Sequence, residues 1–123
     1  MTKRAGELQV TGVALVAYAV GVPVSAWSSK MRVVGVLANA PSAGNKGNNL
    51  LGIAYAKAAE MAETLKDSGS NSRPPMVGEF GWQGGLIRKG KTGHLIAAFS
   101  GGPSEKDVEV SRAGLDILAS ATL

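Results

Sequence analysis

Residues 81–102 read GWQGGLIRKGKTGHLIAAFSGG, and the way this stretch folds decides how the rest of the chain is arranged. Two apolar segments, Leu86 to Arg88 and His94 to Ser100, flank the corner Lys89-Gly90-Lys91-Thr92-Gly93. Glycines in that corner can take positive φ without steric cost, as a hairpin connection needs, so the pattern predicts an antiparallel strand pair. Gly84-Gly85 precede the pair and Gly101-Gly102 follow it. Such glycine pairs punctuate turns, and they let a backbone approach another backbone or a ligand more closely than a Cβ permits.

Downstream, Pro103 and Ser104 open a helix, with Ser104 and Asp107 at capping-box spacing and Val110, Gly114, Ile117 and Ala121 on one face. Upstream, Met76 to Phe80 predicts a short strand, and Ser68 to Pro75 (SGSNSRPP, containing Arg73) an irregular, mobile segment. Before it lies a helix from about Leu50 to Lys66, capped by Asn48 or Asn49. Its core stripe is Leu50, Ala54, Ala58, Met61 and Leu65, and Gly69 suits its end. The loop between Asn39 and Asn49 is either a solvated connection or a ligand loop, and its Gly-Asn-Lys-Gly lacks the spacing of a phosphate-binding loop. At the start, Ala5 to Val20 reads as a helix apolar on most sides, stopped by Gly21 and Pro23. Val22 to Ser28 and Met31 to Ala38 then read as a hairpin. This order of elements points to an α+β protein, an antiparallel sheet covered by helices.

A chain of 123 residues, 45% apolar and 18% charged, suits one folded domain, 1–123, rather than a disordered segment. The lack of cysteine rules out disulfides and thiolate metal sites, and a single histidine rules out a multi-histidine site within one chain. The longest apolar run, Val13 to Val20, is far shorter than the roughly 20 residues a membrane helix needs. Met-Thr-Lys-Arg before that run superficially resembles a signal peptide, but no small-residue cleavage site follows. The expected location is cytoplasmic, with no membrane partner. The net charge is +4, with the basic excess confined to residues 1–62, which favours anionic small ligands. Scattered basic residues and six aromatics form neither a basic stripe nor a stacking platform, so nucleic acid is not an expected partner.

Two segments, AYAKAAEMAETLKDSGS (Ala54 to Ser70) and GGLIRKGKTGHLIAAFSGGPSEKDVEVSRAGL (Gly84 to Leu115), resemble the GlcG/HbpS-like family, which includes the C-terminal domain of PduO-type proteins. The second is similar to the family pattern GG-x-P-I, then G-x-x-x-G-A-I-x-V-S-G, then D and A-G-L. The resemblance implies a profilin-like domain with an antiparallel sheet of about five strands, assembled into dimers or larger rings, and a pocket that in several members holds haem. It matches Lys57 to the family's helix lysine, Gly84 and Gly85 to its glycine loop, Asp107 to its helix-start aspartate and Ala113-Gly114-Leu115 to its closing motif. The sequence departs from the family at the first hairpin, where Trp27-Ser28-Ser29-Lys30 replaces an acid- and glycine-containing turn, and it lacks the proline after the glycine pair. It also has no histidine in its N-terminal region, so haem is expected to bind weakly at most, without His94 as sole axial ligand.

Among the polar residues, Glu79 sits in the apolar, glycine-rich MVGEFGW, where burial would raise its pKa toward that of a general base. A surface salt bridge is the plainer role. His94 heads a strand and is the only side chain with an ordinary pKa near neutrality. Lys57 lies beside the Ala54 and Ala58 stripe, placed either to aim its ammonium into a cleft or to pair with Glu60. Trp27 and Trp82 offer flat faces to a ligand or to the core. Ser100 lacks the G-x-S-x-G of a nucleophile elbow. Two functions compete. One is an oligomeric protein binding a hydrophobic or anionic organic ligand near the glycine loop, with Trp82, Gly84, Gly85, Arg73 and Asp107 around it. The other is a cofactor-independent enzyme in which Glu79 or His94 moves a proton, while Lys57 or glycine-loop amides stabilise negative charge. A purely assembling or regulatory subunit is a third role. Any ligand is expected to contact Glu79 to Gly85, with Lys57 as its cationic neighbour. Self-association is expected because a helix apolar on most sides needs a partner's cover.

Overall fold

The computed structural model describes residues 1–122, with the side chains of residues 1–120. Its elements are α1 (Thr2–Glu7), β1 (Gly12–Val20), β2 (Ala26–Val34), β3 (Ala38–Asn39), β4 (Asn48–Asn49), α2 (Leu50–Thr64), β5 (Gly85–Lys89), β6 (His94–Ser100) and α3 (Ser104–Thr122). The main sheet is antiparallel throughout, in the order β2-β1-β6-β5, and β3 pairs with β4 in a separate two-stranded ribbon. The protein is therefore α+β with an antiparallel sheet flanked by helices. The expected strands divide into a four-stranded sheet and a ribbon.

β1 and β6 occupy the centre, and alternate side chains serve two cores. Val13, Leu15, Ala17 and Ala19 of β1, with Ile96 and Ala98 of β6, pack under α2. On the other face Ala14 and Phe99 meet Ala5 of α1 and Val110 of α3, while Leu95, Ala97 and Leu86 meet Leu115. A strand covered on both faces has no polar side to show. That is why the apolar run expected to be a helix over Ala5 to Val20 is instead a six-residue helix followed by the central strand β1. The predicted break at Gly21 and Pro23 survives as the turn between β1 and β2. The two-strand pattern read over residues 22–38 is a single strand, Ala26–Val34, paired with β1 from Gly12↔Val34 to Val20↔Ala26.

The β5–β6 hairpin forms as expected, from Gly85↔Ala98 to Lys89↔His94, closed by the Gly90 amide donating to the Gly93 carbonyl at 2.6 Å. Neither corner glycine takes a positive φ. Gly93 serves instead through close approach, since a Cβ there would strike the Ala19 carbonyl. Met76 to Phe80 is not a strand. It forms a turn in which the Glu79 amide donates to the Met76 carbonyl at 3.0 Å and the Met76 amide to the Glu79 carboxylate at 2.9 Å.

Asn49 caps α2, its side chain accepting from the Gly52 amide at 2.9 Å. Leu50, Ala54, Ala58 and Met61 are buried as expected, but the helix ends on Leu65 in the left-handed conformation rather than at Gly69. On α3, Val110 and Gly114 face inward while Ile117 is 65% exposed, so the buried stripe turns toward Ser111 and Leu115. The Ala121 side chain lies outside the described residues.

Candidate functional site

The C-terminal end of β6, the inner face of α2 and the first turn of α3 converge on one buried ion pair. Lys57 comes from α2 because its position, three residues after Ala54, falls on the inward side of the helix. Its Nζ donates to the Phe99 carbonyl at 2.7 Å and to Asp107 Oδ2 at 3.1 Å, with both charged side chains only 5% exposed. Asp107 Oδ1 accepts from the Gly102 amide at 2.9 Å, so the carboxylate reaches back over the glycine pair that links β6 to α3. The Gly101 amide reinforces it. This, rather than a box closed with Ser104, is how Asp107 serves the start of its helix.

Gly84 completes the enclosure. Its φ is +129°, and a Cβ there would collide with Lys57 Nζ, so glycine is required for both conformation and space. Its carbonyl accepts from Ser111 Oγ at 2.6 Å, one helical turn past Asp107. Gly85 has a different part. It is buried beneath Met61, its amide donates to Ser68 Oγ at 2.8 Å, and it does not line the cleft.

Burial lowers the Lys57 pKa, an effect that Asp107 partly opposes. Burial likewise raises the Asp107 pKa against the pull of Lys57 and the two glycine amides. The ionised and neutral forms of the pair are thus brought closer in energy than in water. The pair forms the floor of a cleft of about 230 Å³, walled by Trp82, Gln83, Ser100 to Gly102, Ser104, Asn39 and Asn48. An ammonium has three protons to donate, and Lys57 meets two acceptors among the described residues.

Trp82 stands at the rim, 48% exposed and stacked on Phe80 with ring centroids 4.7 Å apart. Beyond it, an adjoining hollow shares Asn48, Ile53 and Trp82 with the cleft and is bordered by Glu79. Glu79 takes the salt-bridge role, and its pKa moves down instead of up toward that of a general base. Arg73 grips it with two nitrogens at 2.8 and 2.9 Å, and with the Met76 amide this holds its pKa down to about 2. It is a structural anion, too weakly basic to take a proton near neutrality. Arg73 also bridges to Glu63 at 3.1 Å and lines neither hollow, so it clasps its own segment instead of binding a ligand.

His94 lies at the other end of β6, paired with Ala19 and Lys89. Six strand steps separate it from Ser100, about 20 Å, so it takes no part in the Lys57 cleft. Lys57 does not pair with Glu60, whose carboxylate accepts from the Gly69 amide at 2.7 Å. Trp27 is half-buried against Tyr55 and packs on the core.

Of the expected site residues the fold therefore gathers Lys57, Asp107, Gly84 and Trp82, sets Gly85 just behind them, and leaves Glu79, Arg73 and His94 outside. Gln83 falls in the Glu79 to Gly85 segment expected to meet a ligand, Asn39 and Asn48 flank the loop read as a possible ligand loop, and Ser104 opens the helix expected beside it. Ser111 was not anticipated. A usable signal existed for Ser111, which stands four residues after Asp107 and so on the same helical face. Among the described residues no cluster of three or more His, Cys, Asp or Glu side chains is placed to hold a metal ion, and no helix is long and apolar enough to cross a membrane. Comparison with family models, curated proteins and solved structures finds no match for this chain.

Proposed function

We propose that this chain is a divergent GlcG/HbpS-like domain that binds a small organic ligand with an anionic end in the cleft above Lys57 and Asp107. The observation that carries this proposal is the buried ammonium, with fewer acceptors than protons, at the floor of an open cleft beside an exposed tryptophan. Lys57 and Asp107 are also the two polar side chains that the family resemblance singled out. They lie 50 residues apart in sequence and meet at 3.1 Å. The first-turn amides of α3, next to the cleft at Ser104, add partial positive charge. The cleft is smaller than the range of about 300–1,000 Å³ typical of drug-sized ligands, which favours a compact molecule. Haem would find no histidine here, since His94 is at the far end of β6.

A screen of small carboxylic acids against isotope-labelled protein tests the assignment. Binders should shift the Trp82 indole and the Gly101 and Gly102 amides. Binders that shift only resonances near His94 or Arg73 would place the site elsewhere.

An enzymatic role is the second reading, favoured by the opposite pKa displacements of two touching groups in a cleft. The proton would move between Lys57 and Asp107, not through Glu79 or His94. Self-association belongs to the same proposal, with support from the open sheet face on β2.

A further inference from the structure

We propose that Lys57 is a covalent site, condensing through its amine with a small 2-oxo acid to form a Schiff base in the cleft. The inference rests on the cleft being the ligand site. Lys57 is the buried lysine of the chain. Lys3, Lys30, Lys46, Lys66, Lys89 and Lys91 are exposed, and Lys106 is intermediate. Buried lysines that border a cleft and carry a carboxylate neighbour are the ones suited to amine chemistry, because the neighbour can hold the proton while nitrogen presents its lone pair.

The hydrogen bonding fits the neutral amine. When the proton on the Asp107 side passes to that carboxyl, the lone pair faces Asp107 and one N–H still meets the Phe99 carbonyl. Rotation about the Cε–Nζ bond then turns the lone pair to the third corner while an N–H takes its place toward Asp107. Lys57 lines the cleft, and only a glycine at position 84 leaves room for its Nζ. The substrate class follows from the walls. A carbonyl must reach Nζ, and at the start of α3, a 19-residue helix, the Lys106 and Asp107 amides donate to the Pro103 carbonyl while those of Ser104 and Glu105 remain to meet a carboxylate.

The step balances without any other reactant. The ammonium gives a proton to Asp107, and the amine lone pair forms the C–N bond while the carbonyl π pair moves to oxygen. Oxygen takes the Asp107 proton, and nitrogen returns a second proton to Asp107. The C–O bond then breaks as the hydroxyl leaves with that proton as water. The product is a protonated imine, still paired with an ionised Asp107, and no oxidant or reductant enters.

The test is reductive trapping. Protein is incubated near neutral pH with pyruvate and borohydride, and adducts are located by peptide mass mapping. Lys57 should be labelled about tenfold or more faster than any exposed lysine. Lys57→Arg should lose that adduct while the slow surface background remains, and Asp107→Asn should slow it by a similar factor. If either variant fails to fold, the map of the wild-type protein decides alone. Labelling spread evenly over exposed lysines, with Lys57 unmodified, overturns the proposal. Pyruvate that shifts the Gly101 and Gly102 amides yet leaves Lys57 unlabelled overturns the covalent step while preserving the cleft as a binding site. Absence of both shift and adduct also overturns the covalent step, and the carboxylic acid screen then judges the cleft independently.

Discussion

Lys57 and Asp107 are nearly buried and hold each other's charge, so neither is replaceable singly. Lys57→Met should destabilise the fold by about 3–5 kcal/mol, because it leaves a buried carboxylate without its cation, and Asp107→Leu should cost a comparable amount. The double variant should lose clearly less than the sum, since two apolar groups of similar volume strand no charge. Urea unfolding of the four proteins measures this, and strict additivity would show that the pair does not couple. Glu79 makes a pH-dependent prediction. Its folded pKa of about 2 lies below the ordinary 4.5, so its bonds to Arg73 and Met76 contribute stability above pH 4.5 that is lost as pH falls toward 2. Glu79→Gln should flatten the stability profile over that interval, and an unchanged slope would contradict the assignment. Helical spacing set Lys57 beside the core stripe but left open whether it entered a cleft or paired with Glu60. The sequence left Glu79 open between a general base and a salt bridge, because the decisive neighbour, Arg73, approaches through a turn that no periodicity announces.

At the scale of elements, legibility followed how many faces each element buries. The β5–β6 hairpin and α2 were readable because each has a cap, a corner or an alternation that marks its limits. β1 was not, because a strand buried on both faces and a buried helix share one apolar pattern. α3 was readable as a helix, but its buried side was off by part of a turn. Asp107 was read as a capping and pocket residue, but the inward-facing Ser111 was left off the stripe, which was drawn through apolar positions and Gly114 alone. This rotation is testable. Val110→Ala should cost about 2 kcal/mol through lost burial and a cavity, whereas Ile117→Ala should stay within about 0.5 kcal/mol. Thermal or denaturant unfolding of both variants distinguishes the observed face from the one with Ile117 inside.

For the whole molecule, the question left by the corrected topology is what, if anything, a second copy would cover. The original reason for expecting self-association, a helix apolar on most sides, disappears once Val13 to Val20 is the sheet's covered centre. A different reason takes its place at the sheet's edge. Met31 and Val33 of β2 stand opposite Leu15 and Val13, on the face that α2 covers farther in, and remain 38% and 39% exposed. Val36 and Leu37 follow, at 37% and 42%. On the other face of β2, Lys30 and Arg32 stand opposite Val16 and Ala14. Antiparallel pairing of two β2 edges would bring these cations close together, a common way for edge strands to resist such pairing. Association should accordingly use the apolar face, not the edge hydrogen bonds. Light scattering at micromolar concentration should return a multiple of 12.5 kDa, and Met31→Lys with Val33→Lys should reduce it to the single-chain mass while far-ultraviolet circular dichroism stays unchanged. A single-chain mass for the unaltered protein would end the argument for a dimer. A multimer that survives both substitutions would move the contact to another surface, with the uncharged Val22 and the Phe80–Trp82 stack the next exposed apolar places to vary.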